Sequence, residues 1–210
     1  MYAESSNYAG MRPDGVESNH FAYHLEQLIK AKLIMKEGKQ YALSPAGLAY
    51  IDRLSQGKMV ERLQPHIVTA IDLTTPDGKT LLFKRRFQPY IHLLGFPLGK
   101  VHYDECIADA ALRELAEKTG LTGIQLTHRG MVYIDAQKQG TTISKVLYHV
   151  FHGDVPAELP TTTPEQRGEC LWADPAGYTD AELMPGFNAV KQLLATSDGL
   201  FFAEFTVAIG

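Results

Sequence analysis

The chain has 210 residues, of which 45% are hydrophobic and 21% are charged, and its formal net charge is −4. This composition is typical of a globular protein with one or two domains, and it excludes a disordered chain. The acidic balance gives no global nucleic-acid signature, and no apolar run reaches the length of a membrane span. The two cysteines lack metal-ligand spacing and indicate no disulfide framework, so we expect a cytoplasmic protein.

Residues 1–58 predict a small helical domain with a two-stranded wing. Apolar residues recur at helical spacing over residues 17–33, and the turn Glu37-Gly38-Lys39 separates two short strand-like runs. Pro45 then opens a further helix that runs to Leu54. This order of helix, wing and helix resembles the winged helix-turn-helix of bacterial regulators. The resemblance implies DNA as a partner.

This N-terminal part departs from the winged-helix pattern in two ways. Only residues 1–16 precede the candidate recognition helix, so we expect a truncated first helix, a start before Met1, or a partner chain that supplies the packing. The candidate recognition helix, Glu17 to Lys32, contains no arginine, although phosphate contacts supply much of DNA affinity. DNA binding, a homodimer that would strengthen it, and a simple packing role therefore stay open.

A linker at residues 55–58 leads into a second domain, residues 59–210. Its β-branched and apolar runs at 66–73 and 80–85 are separated by Pro76-Asp77-Gly78, a strong hairpin signal. Further strand-like runs occupy residues 130–135 and 143–151 and the segment around Trp172, and a last helix is predicted over 187–195. Strands interleaved with two helices predict an α+β fold.

The stretch from Gly99 to Leu121 combines a glycine turn, carboxylates and an arginine that enter a helix. Seven residues hold its spacing: Gly99, Glu105, Arg113, Glu114, Glu117, Gly120 and Leu121. They resemble the Nudix box, which reads Gly, five residues, Glu, seven residues, then Arg-Glu-apolar-any-Glu-Glu-any-Gly-apolar. Lys118 stands where the box has its last glutamate. The resemblance implies a Nudix α/β/α sandwich with a mixed sheet, preceded by the small winged-helix domain.

The resemblance also implies hydrolysis of a diphosphate linkage in a nucleoside diphosphate derivative, with Mg²⁺ or Mn²⁺ as cofactor. Hard cations with oxygen ligands neutralise the dense charge of a diphosphate. Glu114 and Glu117 lie about one turn apart on one helix face, and with the Gly99 carbonyl they are the expected metal ligands. Glu105 and Arg113 are expected to brace the loop through an ion pair.

Four further residues are candidates for contact with the substrate or the attacking water. Three alternatives stay open for Lys118: its charge prevents a further metal ion from binding, its ammonium contacts phosphate as a fixed charge, or its side chain turns to solvent. Arg85 and Arg86 are expected to bind substrate phosphate, although alternation along a strand places only one of them in the site. Glu165, on the loop before Trp172, is the candidate general base, because some members of the family take their base from that loop.

Two functions stay open. We favour a Mg²⁺-dependent pyrophosphohydrolase, although Lys118 argues against it. The alternative is a transcription regulator in which a weakened Nudix module senses a nucleotide derivative and the winged helix binds DNA, although the arginine-free helix argues against that. Because the two functions share a fold, the fold alone does not separate them.

Overall fold

The structure, a computed structural model, describes residues 5–54, 60, 62–162 and 168–209. The chain divides into a first unit, Met1–Leu63, and a second unit, Gln64–Gly210. Each unit has its own cluster of buried apolar side chains. Within the described ranges, no helix has the length and apolar character needed to cross a membrane.

The described residues of the first unit form three helices and a small antiparallel sheet. Its elements are β1 (Ser6–Asn7), α1 (Tyr8–Met11), α2 (Ser18–Lys30), β2 (Ile34–Glu37), β3 (Gln40–Leu43) and α3 (Pro45–Asp52). The strand order is β1-β3-β2. Ser44 caps α3 by accepting a hydrogen bond from the Gly47 N–H at 3.0 Å. This arrangement is compatible with the expected winged helix, which stays a prediction.

The second unit is built on one eight-stranded mixed sheet. Its elements are β4 (His66–Thr74), β5 (Thr80–Arg85), β6 (Leu94–Gly95), β7 (Leu98–Lys100), α4 (Ile107–Thr119), β8 (Thr127–Lys138), β9 (Thr141–Asp154), β10 (Gly168–Ala173), α5 (Phe187–Thr196) and β11 (Phe201–Ala208). The main path is β10-β5-β4-β9-β8-β11, with β6 beside β5 and β7 beside β4. The pairs β4–β9 and β8–β11 are parallel, and the other pairs are antiparallel.

One long helix covers each face of this sheet. Leu115 of α4 packs in the core on one face, together with Ile71 of β4. Val190 of α5 packs in the core on the other face, together with Ala70 of β4. Neighbouring residues of a strand point to opposite faces, so β4 serves both cores. The result is the predicted α/β/α sandwich with a mixed sheet.

The C-terminal segment forms a strand that the sequence pattern did not identify. β11 runs parallel to β8 along its whole length, from Phe201 beside Gly130 to Ala208 beside Gln137. Phe201 is buried and Phe202 is exposed, so the two adjacent phenylalanines point to opposite faces. Their adjacency hides the alternation from which a strand is predicted.

Candidate active site

Helix α4 carries most of the box. Its last residue is Thr119, because Gly120 adopts φ 73°, in the left-handed region that glycine enters without steric cost. The Gly120 N–H donates to the Ala116 carbonyl at 2.9 Å and closes the last turn. Leu121 then enters the core beneath α4. The box glycine and the apolar residue after it therefore end and anchor the helix.

An ion pair fastens the loop before α4 to the helix. Arg113 donates to both carboxylate oxygens of Glu105, from Nε at 2.9 Å and from Nη2 at 2.6 Å. Arg113 Nη2 also donates to the Lys100 carbonyl at 3.0 Å, and the His102 N–H donates to Glu105 at 2.6 Å. The Arg113 hydrogen bonds hold the pKa of Glu105 at about 2, and the same contact raises the pKa of Arg113. The two predicted bracing residues are in direct contact.

Glu114 is buried against the backbone of β7. Its exposed fraction is 6%, and a Cβ added to Gly99 would lie 1.8 Å from the Glu114 carboxyl carbon. Only glycine at residue 99 therefore leaves room for this carboxylate. Thr69 on β4 donates to the Gly99 carbonyl at 3.4 Å and holds β7 in place. The structure thus brings two of the three predicted metal ligands together.

Both carboxylate oxygens of Glu114 already have cationic partners. Oε1 accepts from Arg113 Nη1 at 2.8 Å, and Oε2 accepts from Lys118 Nζ at 2.6 Å. The Lys118 side chain is 13% exposed, so it does not turn to solvent in this structure. Glu117 lies differently, with a side chain that is 46% exposed and 3.5 Å from Arg113 Nη1. The cation nearest the Glu114 carboxylate is therefore the Lys118 ammonium.

As they lie, the described residues do not fit a divalent ion. Among them, no three His, Cys, Asp or Glu side chains form a group that could hold a metal. Two unit charges about 4 Å apart interact by roughly 4 kcal/mol at an intermediate dielectric, and a dication doubles that figure. An ion beside Lys118 Nζ would be repelled on this scale. Binding through Gly99, Glu114 and Glu117 would require Lys118 to leave Glu114 first.

A cleft of about 540 Å³ opens beside Glu114. Its charged lining residues are Arg85, Lys100, Lys118 and Glu114. The wall is otherwise mostly apolar and aromatic, and it includes Val68, Phe87, Leu98, Ile134, Val146, Tyr148, Met184 and Pro185. A mostly apolar cleft with a few polar groups is typical of small-molecule sites.

Arg85 lines the cleft without an anionic partner in the described part of the chain. Its guanidinium carbon lies 4.0 Å from the centroid of the Phe87 ring, and its Nε is buried without a hydrogen-bond partner. Burial lowers the pKa of Arg85. A desolvated cation that the protein does not pair is costly, so its presence in a cleft points to an anionic ligand.

The remaining predicted residues lie outside this constellation. Arg86 Nη2 donates to Glu169 of β10 at 3.3 Å, and Arg86 is not among the described residues that line the cleft. Of the two arginines, only Arg85 enters the cleft, and the substrate contact of Arg86 stays a prediction. Glu165 falls outside the described residues, so the predicted base has no observed position.

Parts of the cleft gave no signal in the sequence. Tyr148 is buried on β9, and its burial raises the pKa of its hydroxyl. Met184 comes from the segment before α5. These residues meet only through the tertiary fold, so no local spacing predicts them.

A family comparison decides where the chain belongs. The family model described as NUDIX domain matches residues 64–191, which is more than half of the chain. The chain belongs to the Nudix family. Nudix hydrolases generally use divalent metal ions. The comparisons do not favour the DNA-binding regulator.

Curated Nudix relatives match only part of their length. The ADP-ribose pyrophosphatase of Methanocaldococcus jannaschii is 33% identical over 87 residues, which are 40% of this chain and 52% of that protein. The isopentenyl-diphosphate Delta-isomerase of Dinoroseobacter shibae is 33% identical over 73 residues, which are 34% of this chain and 42% of that protein. The matched segment thus spans about half of each relative.

Solved structures agree on the fold. The MutT protein of Bacillus halodurans superposes with a TM-score of 0.54 at 21% identity, over 68% of this chain and 90% of that one. The NUDIX domain of Shewanella oneidensis NrtR, solved with ADP ribose, superposes with a TM-score of 0.54 at 17% identity, over 73% and 97% of the two chains. At these identities the likeness shows the fold alone.

Proposed function

We propose that the chain is a pyrophosphohydrolase that cleaves the diphosphate linkage of a nucleoside diphosphate derivative. The observation that carries the proposal is the cleft in which the box residues Gly99 and Glu114 occur together with Arg85, a cation that has no anionic partner among the described residues. Its volume, about 540 Å³, is within the range of small-molecule sites. A cytoplasmic location, DNA binding and a homodimer stay predictions.

One sequence relative supports this class of substrate, and one structure of the same fold was solved with such a ligand. The Methanocaldococcus jannaschii relative is an ADP-ribose pyrophosphatase, and the Shewanella oneidensis NUDIX domain was solved with ADP ribose. ADP-ribose contains a diphosphate that joins two ribose groups, so it presents the linkage that the cleft is proposed to hold. It is therefore the first substrate to test.

Hydrolysis of such a substrate is a displacement at phosphorus. A water oxygen attacks one phosphorus, the bond from that phosphorus to the bridging oxygen breaks, and the bridging oxygen leaves with the second phosphate. Arg85 and Lys118 hold phosphate oxygens, and Glu165 takes the proton of the water. Glu105 and Arg113 are positioning residues that hold Glu114 in place, and Glu114 in turn holds the Lys118 ammonium. The Lys118 ammonium already contacts the Glu114 carboxylate, so none of these steps involves a metal ion. Dependence on Mg²⁺ or Mn²⁺ stays a prediction.

Product release from a substrate panel tests the proposal. The full chain is incubated with ADP-ribose, other nucleoside diphosphate sugars, dinucleotides and nucleoside triphosphates, each with Mg²⁺, with Mn²⁺ and with EDTA. We expect nucleoside monophosphate from a diphosphate-linked substrate, and about 100-fold slower release from Glu114→Gln with the fold retained. Absence of product from every substrate under all three conditions would contradict the proposal. Full activity in Glu114→Gln would remove Glu114 from it.

A further inference from the structure

The charges that line the cleft do not cancel. Arg85, Lys100 and Lys118 are cationic and Glu114 is the one carboxylate among the described lining residues, so two positive charges are in excess when His66 is neutral. The more distant Glu105 is satisfied by Arg113, which it contacts through two hydrogen bonds. The described part of the cleft therefore offers an anionic ligand a net charge of about +2 before any metal ion is added.

Lys118 is a fixed cation within this charge distribution. Its backbone belongs to α4, and its ammonium is held by Glu114 Oε2 at 2.6 Å. The ammonium also lies 6.0 Å from the centroid of the buried Phe83 ring, and the side chain is 13% exposed. A point charge held at this place needs no recruitment from solution and no rearrangement when a phosphate arrives.

A diphosphate esterified at both ends matches the excess charge. Each of its phosphates keeps a single ionised oxygen, so the linkage carries one negative charge per phosphorus. A nucleoside triphosphate carries more charge, because its terminal phosphate ionises a second time with a pKa of about 6. The cations of the cleft neutralise the first ligand without help and leave the second with uncompensated charge.

We propose that the chain binds a doubly esterified diphosphate through its own cations, with the Lys118 ammonium in the place of a divalent ion, so that ligand binding needs no metal. This inference rests on the proposed function, because it concerns the same cleft and the same class of substrate. It separates binding from turnover: the ligand is held by Lys118 and Arg85 whether or not hydrolysis later requires an ion.

Calorimetric titration tests the metal-free binding. The full chain is titrated in EDTA and in excess Mg²⁺ with the methylene analogue of ADP-ribose, in which a CH₂ group replaces the bridging oxygen and blocks the proposed hydrolysis, and we expect dissociation constants that agree within about twofold. Loss of one charge-assisted hydrogen bond in Lys118→Gln should weaken binding in EDTA by about tenfold to a hundredfold. Equal affinity of Lys118→Gln and the native chain in EDTA would overturn the inference.

A second experiment reverses the charge at residue 118. Lys118→Glu places a third carboxylate on the face of Glu114 and Glu117, so we expect it to lose binding of the methylene analogue in EDTA and to regain it with Mg²⁺. Direct Mn²⁺ titration without nucleotide, followed by the resonance signal of free Mn²⁺, should show uptake by Lys118→Glu and none by the native chain. Mn²⁺ uptake by the native chain at equal affinity, abolished by Glu114→Gln, would overturn the inference.

The matched control is Lys39→Glu, which makes the same charge change at an exposed residue outside the matched family segment. We expect it to bind the methylene analogue as the native chain does, and thermal unfolding of every variant verifies that it folds. Absence of binding in EDTA with binding in Mg²⁺ would overturn the inference alone and leave the proposed function intact. Absence of binding under both conditions would also overturn the inference. The proposed function is then tested separately by product release from the substrate panel.

Discussion

Arg85 is a half-buried cation that has no anionic partner among the described residues. Its Nε is buried without a hydrogen-bond partner among the described residues, and its guanidinium carbon lies 4.0 Å from the centroid of the Phe87 ring. A buried donor without a partner costs roughly 1–3 kcal/mol, whereas a cation stacked on an aromatic ring recovers about 0.5–1 kcal/mol. The balance opposes folding, so the residue is better explained by a ligand than by stability.

Arg85→Met should therefore weaken ligand binding without lowering the stability of the fold. We expect ADP-ribose to bind at least tenfold more weakly, because a phosphate contact is lost, while the midpoint of thermal unfolding does not fall. Arg86→Met is the matched control, since Arg86 is paired with Glu169 at the surface and should change affinity by less than about twofold. A lower unfolding midpoint with unchanged affinity in Arg85→Met would show that Arg85 is structural.

Residue 99 must be glycine because the Glu114 carboxylate lies too close to its backbone to leave room for a side chain. A Cβ at this residue would lie 1.8 Å from the carboxyl carbon of Glu114, and Glu114 is held by Arg113 and Lys118. We expect Gly99→Ala to lower the free energy of unfolding by about 1–3 kcal/mol, as overpacking does, and to displace the carboxylate. Denaturant unfolding measures the loss. Gly78→Ala is a weaker comparison, because nothing lies within 4 Å of a Cβ there and only its φ of 86° is unfavourable.

At the scale of elements, a buried polar cluster joins β4, β9 and α5 on the side of the second unit away from the box. Asp72 is 1% exposed and accepts from Lys191 Nζ at 2.9 Å, while His152 Nδ1 lies 2.8 Å from the same carboxylate. Lys191 also donates to Thr80 at 3.0 Å. Burial opposes the charge of Asp72, but these contacts outweigh it and lower its pKa. Apolar periodicity could not reveal this cluster, because its residues are distant in sequence.

The cluster predicts how stability depends on pH. The hydrogen bond with Asp72 raises the pKa of His152 above its ordinary value of 6.5, although burial opposes the shift. A raised folded-state pKa gives stability that is present below the unfolded value and lost as pH rises through the folded value. We expect the contribution of this residue to the free energy of unfolding to fall as the pH rises above its ordinary pKa of 6.5, by at most about 1.4 kcal/mol per pH unit.

Chemical denaturation at a series of pH values, in the native chain and in His152→Gln, isolates this contribution. The difference between the two curves should shrink as pH rises. His149 acts oppositely, because burial and then His128 lower its pKa, so its contribution is lost as pH falls. His149 is present in both proteins and cancels in the difference. Parallel curves for the two proteins would show that His152 does not contribute.

The sequence predicted elements well wherever one face is buried and the chain is locally regular. β5 begins and ends at the predicted residues, and α5 extends one residue past the prediction, because apolar spacing and turn residues specify both elements. The resemblance to the Nudix box, rather than apolar spacing, led to the prediction that Glu105 and Arg113 form an ion pair. The sequence left the place of the Lys118 side chain open, because a lysine side chain has many rotamers and only its surroundings select one.

At the scale of the whole molecule, the described cleft is a property of the second unit. Its lining residues lie between His66 and Pro185, and they come from β4, β5, β7, α4, β8, β9 and the segments that connect them. Among the described residues, none of the first unit lines the cleft. The distribution of lining residues therefore predicts that ligand binding and the first unit are separable.

A fragment of residues 64–210 tests this separation. It contains the whole family match and all described lining residues, so we expect it to fold and to bind ADP-ribose within about threefold of the full chain. Calorimetric titration measures affinity, and the near-ultraviolet circular dichroism of the aromatic side chains verifies packing. A well-packed fragment that binds at least tenfold more weakly would show that residues 1–63 contribute to the site. The isolated first unit is the complementary control and should not bind ADP-ribose.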